Sequence, residues 1–187
     1  MDFRDAQRDI AAAYVNGAPG VLVSGIVWLA AGLVEQAEGT STAFAVLFFG
    51  GVLIFPLSML LCRMVFRSPS TTEGNALERL GFENIVMLFA GILLGFVALK
   101  MVPQLAFPAV AVAVGARYFT FRTLYGDANY WFLGGIIALI GTADMIASNL
   151  LPVGTPLLVG MAECFFAAIL LIRWRELSPR SSKQSGK

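Results

Sequence analysis

Ionisable side chains that fall inside long apolar runs are where chemistry is to be looked for in this sequence, because a charge at bilayer depth costs free energy and is by default a functional candidate. Glu163 comes first. It lies about ten residues into the apolar run 154–174, which at ~1.5 Å per residue puts it roughly 15 Å deep, near the middle of a ~30 Å hydrocarbon core. A carboxyl at that depth is expected to be protonated or paired. Arg117, in the inner half of the run 104–122, is the partner the spacing proposes. Such a pair is either a clasp that holds two helices or a proton or ion site, and a third reading has Arg117 snorkelling alone to the interface.

Other polar residues rank lower. Asp144, with Thr142, Ser148 and Asn149, stands near the outer end of the run 130–148 and reads as a polar helix end ahead of an outer vestibule. Glu83 and Asn84 open the third apolar run, where a carboxylate suits a helix N-terminus. Gly50, Gly51 and Pro56 predict a kink in the second run, since Pro56 cannot donate to the carbonyl of Val52. A static kink is favoured over a moving hinge. Cys62 and Cys164 read as small buried hydrophobes, without CxxC spacing.

The 187 residues hold no histidine and no recognisable nucleophile, phosphate loop or metal motif, so an enzyme is disfavoured and neither cofactor nor metal is expected. The net charge of +1 gives no support for nucleic-acid binding.

The elements that must position these residues follow from composition. Hydrophobic residues make up 58% and charged residues 13% of the chain, against roughly 45–50% and 25% in soluble domains. The apolar residues group into six runs, 20–35, 42–63, 84–100, 104–122, 130–148 and 154–174, each near the length of a membrane-crossing helix. An all-α integral membrane bundle of six transmembrane helices is the expected fold. The short turn Lys100-Met101-Val102-Pro103 leaves open a five-span variant that merges or drops a run.

Ahead of the bundle, Phe3, Ala6, Ile10, Ala13 and Tyr14 recur at helical spacing opposite Asp2, Arg4, Asp5, Arg8 and Asp9, as in a helix lying on a membrane surface. The expected organisation is therefore an interfacial helix over 1–17, a transmembrane domain over 18–177 and a disordered cytoplasmic tail over 178–187. Twelve Lys and Arg fall on one side of the six-span drawing and Lys100 alone on the other. That bias favours an even number of spans with both termini in the cytoplasm. Tyr118, Phe119, Phe121, Tyr125, Tyr130 and Trp131 cluster at the same interface and read as an aromatic belt ahead of a ligand cage.

Sliding the chain on itself by 110 residues matches the first two runs to the last two, with Gly25/Gly135, Gly50/Gly160, Phe55/Phe165 and Arg63/Arg173 among the identities. The pattern suggests three parallel helical hairpins, in which the shared glycines, and Gly91 with Gly95, allow close helix approach.

The stretches 16–28 (NGAPGVLVSGIVW), 48–58 (FFGGVLIFPLS) and 117–126 (RYFTFRTLYG) carry a resemblance over nearly the whole chain. On these motifs it resembles an uncharacterised family of small bacterial membrane proteins, the domain of unknown function 7010. The resemblance implies a bacterial inner membrane and a helical multi-pass fold, with no activity to transfer. It also leads one to expect a histidine before Pro56, where this chain has Phe55. The expected function is proton-coupled or small-solute transport through a polar site around Glu163 and Arg117. The alternative is a non-transporting structural, stress-related or partner-binding protein, with the lipid bilayer and a homo-oligomer on glycine faces as its contacts. No motif names a small-molecule or ion substrate.

Overall fold

A computed structural model describes residues 1–147 and 153–177 of the chain, and among these the fold is all-helical. Seven α-helices follow one another: α1 (Phe3–Ala13), α2 (Ala18–Glu38), α3 (Thr40–Leu60), α4 (Leu77–Met101), α5 (Ala106–Tyr125), α6 (Asn129–Ile146) and α7 (Thr155–Leu177). Helices α2 to α7 are each long and apolar enough to cross a membrane. The five-span variant is thereby excluded, because the turn Pro103–Leu105 separates α4 from α5. The tail 178–187 lies outside the described residues.

Helix α1 forms for local reasons. The Asp2 carboxylate accepts from the Phe3 amide at 2.7 Å and caps the first turn, while Ala6 and Ile10 bury against Leu77 and Leu124. The chain then turns sharply through Val15, Asn16 and Gly17, three consecutive residues with positive φ (54°, 52° and 74°). A β-branched residue pays for that conformation, and Val15 is held in it by complete burial. Gly39 (φ 87°) alone joins α2 to α3, and Gly126 (φ 73°) ends α5.

Packing order around the bundle is α3, α2, α7, α6, α5, α4, with α5 also reaching inward to α7. Helices α3 and α4 close this ring only weakly. They approach where Phe44 lies by Gly95, and the interior there is filled by Phe107 with the rings of Trp28 and Phe44 6.1 and 6.0 Å from its own. Toward α1 the two helices line a common cavity. Outward faces of both carry apolar side chains such as Phe49, Leu53, Leu93 and Leu94, all more than half exposed, as suits contact with lipid.

The paired glycines do not behave as equivalents. Gly25 and Gly160 meet across the α2–α7 interface and Gly50 packs on Val27, whereas Gly135 faces open space. Gly91 and Gly95 receive Ala113 and Val110 of α5. Helices α2 and α3 pack closely, while α6 and α7 touch far less. The hairpins thus share sequence pattern and chain order without sharing packing.

Candidate functional site

Glu163 is fully buried on α7. Its Oε1 accepts a 2.6 Å hydrogen bond from the Tyr118 hydroxyl on α5, and its Oε2 has no partner. Tyr118 is itself 3% exposed, and its ring stacks on Tyr130, which stacks in turn on Tyr125. Phe121 meets all three rings edge-on. The cluster read from sequence as an aromatic belt is thus divided: Tyr118, Tyr125 and Tyr130 turn inward, and only Phe119 and Trp131 keep the exposed placement of a belt. The inward stripe was visible as the i, i+3, i+7 spacing of Tyr118, Phe121 and Tyr125.

Arg117 neighbours this group without pairing with Glu163, since no ion pair joins them. Its guanidinium lies over the Phe121 ring, 4.9 Å from the centroid, and its buried Nε has no hydrogen-bond acceptor. The reason is rotational: Tyr118 and Arg117 are adjacent on α5, about 100° apart at ~3.6 residues per turn, and Tyr118 takes the side that meets α7. Arg117 faces instead a cavity of 360 Å³ between α2, α3, α4 and α5. Ser24 and Tyr118 add polar atoms to its wall, and the remaining lining is mostly apolar.

The family of unknown function DUF7010 matches residues 3–173, from α1 to the arginine near the end of α7. The chain belongs to that family. No curated protein and no solved structure matches it.

At the α1 end of this DUF7010 chain stands a second polar group that sequence reasoning missed. Asp127, 4% exposed, accepts from the Asn16 side-chain amide at 2.9 Å and from the Asn129 backbone at 3.0 Å, and pairs with Arg173 at 3.2 Å. The Tyr130 hydroxyl donates to the Asn16 carbonyl at 2.8 Å. Its signal was an acid placed directly after a helix-ending glycine, at the end where the arginines gather.

The remaining residues singled out above lie apart from both groups. Asp144 accepts from the Thr155 hydroxyl at 2.5 Å and joins the end of α6 to the start of α7; Ser148 and Asn149 lie outside the described residues. Glu83 forms an exposed i,i+4 pair with Arg79 at 3.4 Å. Helix α4 begins at Leu77, so Glu83 sits well inside it and the first-turn acid is Glu78. Asn84 is buried and accepts from the Thr120 hydroxyl at 2.6 Å, tying α4 to α5. Helix α3 runs on through Gly50, Gly51 and Pro56 and changes its winding only at the π-helical turn Leu61–Val65. From within that turn Arg63 donates to the carbonyls of Ser68 and Pro69.

Proposed function

We propose that the protein is a bacterial inner-membrane protein with both termini in the cytoplasm, and that it moves a small solute through the bundle coupled to a proton on Glu163. One observation carries the reading. A fully buried carboxyl with one oxygen unpartnered is bonded to a tyrosine that also lines a cavity. Such a group is expensive at bilayer depth, and here it is one hydroxyl away from a compartment large enough to hold a solute. The orientation rests on the arginine bias between the two ends.

Proteoliposomes loaded with a pH dye test it. After an external acid jump, wild type is expected to acidify the lumen faster than protein-free vesicles, and Glu163→Gln to fall back to the protein-free rate while keeping its thermal stability. Equal rates for wild type and Glu163→Gln would overturn the proton role.

A non-transporting reading is favoured by the same hydrogen bond, since Tyr118 and Glu163 also join α5 to α7. It expects Glu163→Gln to unfold the protein at lower temperature and to leave proton permeability untouched.

A further inference from the structure

We infer that the cavity between α3 and α4 binds a long-chain fatty acid, with its carboxylate on the Arg117 guanidinium and its chain directed to the gap between the two helices. The inference deepens the transport reading above and rests on it only for the step of movement, not for binding.

The cavity lies between α3 and α4, which touch only weakly. Phe55, Phe82 and Phe89 line it and are each more than half exposed, so it opens sideways onto the surface that suits lipid. Ile10 and Tyr14 of the α1 segment close its end. A ligand that enters through that gap comes from the bilayer and must carry an apolar chain. At 360 Å³ the space is near the lower end of small-molecule pockets, ~300–1,000 Å³, which suits one acyl chain rather than the two of a phospholipid.

The head group follows from charge. Arg117 and Glu78 are the charged side chains of the lining. Glu78 is exposed in the first turn of α4 and accepts from the Thr71 hydroxyl. The Asn84–Thr120 bond sets α4 level with α5 at that point. Counting from it at ~1.5 Å per residue, Glu78 lies about 9 Å to the α1 side and Arg117 about 4–5 Å to the other, roughly 13 Å apart along the axis. Arg117 is therefore a cation deep in an apolar chamber, with no carboxylate of the described residues within ion-pair distance and its Nε unpartnered. Glu163, the nearby acid, is turned to Tyr118. A carboxylate matches the guanidinium fork with two parallel hydrogen bonds and neutralises the charge. A neutral apolar solute would leave it unpaired.

Native mass spectrometry of the detergent-purified protein titrated with oleate tests the assignment. Saturable binding of one oleate is expected, weakened about tenfold or more by Arg117→Gln and less by Arg117→Lys, which keeps the charge but not the fork. Oleyl alcohol, with the same chain and no charge, should bind about tenfold more weakly than oleate. Gly51→Phe places a ring in the cavity at a position with open space and should weaken oleate binding with the melting temperature unchanged. Unsaturable uptake, equal binding of oleate and its alcohol, or oleate binding indifferent to both Arg117→Gln and Gly51→Phe would overturn the inference. Arg117-dependent binding with no Glu163-dependent proton flux keeps the ligand and removes the coupling; the reverse result removes the ligand and keeps the coupling.

Discussion

Replacing Asp127 with alanine removes the acceptor on which the N-terminal turn, the start of α6 and the end of α7 converge. Three contributions can be weighed. The bond from the Asn129 amide acts as a helix cap and is worth about 1 kcal/mol. The Asn16 amide would be left as a buried donor without a partner, which costs about 1–3 kcal/mol. Arg173 is 48% exposed, so its ion pair is screened by solvent and adds at most about 1 kcal/mol. The sum is about 2–5 kcal/mol. For a chain of this size each kcal/mol moves the melting temperature by roughly 2–4 °C, so Asp127→Ala should melt roughly 4–20 °C below wild type. Asp127→Asn keeps an acceptor and should lose less than half as much. The assay is thermal unfolding of the purified protein in detergent, in a Cys164→Ala background, followed by the fluorescence of a thiol-reactive dye on Cys62, which is buried in the fold. A loss below about 1 kcal/mol for the alanine variant would refute the reasoning, because it would mean that Asn16 and Arg173 find equivalent partners without the carboxylate.

Further expectations follow from individual contacts. In double-mutant cycles on stability, Tyr118→Phe and Glu163→Leu should couple by about 0.5 kcal/mol or more, because they share a hydrogen bond, whereas Arg117→Gln and Glu163→Leu should be additive within about 0.5 kcal/mol; the opposite ranking would place the ion pair where the hydrogen bond is. Gly160→Ala should lower the melting temperature, since its methyl group would meet the Gly25 carbonyl and the Leu29 amide at 2.8 Å, while Gly135→Ala meets nothing and should be neutral or stabilising by up to about 1 kcal/mol. Partial burial pushes the Asp9 carboxyl up, but hydrogen bonds from Asn75 and from the Thr72 amide and hydroxyl outweigh it, so its pKa lies below the ordinary 3.8. A lowered pKa contributes stability that is present above the unfolded value and lost as pH falls through the folded one. Proteolysis within 68–76 should therefore rise as the pH drops below about 4 in wild type, and an Asp9→Asn variant should show no such rise.

The bundle was largely legible in the sequence because lipid leaves the backbone few solutions, so apolar length maps directly onto helix. Boundaries slipped where polarity and helix part company: the third apolar run opens at Glu83 and Asn84 in the sequence, yet α4 already begins at Leu77 and carries the exposed Glu78 and Arg79 ahead of them. The depth of Glu163 could be read by counting residues. Its partner could not, because Arg117 and Tyr118 are neighbours in the chain and only the rotation of α5 decides which of them meets α7. Charge drew attention to the arginine, while the tyrosine was absorbed into a belt that five other aromatic residues made plausible. Asp127 escaped notice for the opposite reason. An acid in a short connection between helices is ordinary in sequence, and only the arrival of Asn16 and Arg173 from distant parts of the chain makes it a centre.

The left-handed run Val15-Asn16-Gly17 makes that centre a mechanical linkage. Conformations of this kind cost about 1–3 kcal/mol for a residue such as Val15 and last only while their surroundings impose them. Besides the burial of Val15 and the Tyr130 bond to the Asn16 carbonyl, what holds this one is an acid between α5 and α6 and an arginine on α7, the helix that bears Glu163. Sliding α7 along its axis would pull Arg173 from Asp127, loosen the hold on Asn16 and let the bent segment relax. Because Ile10 and Tyr14 close the cavity just ahead of that bend, a continuous line of contacts runs from α7 through Arg173, Asp127 and Asn16 to the stopper of the chamber.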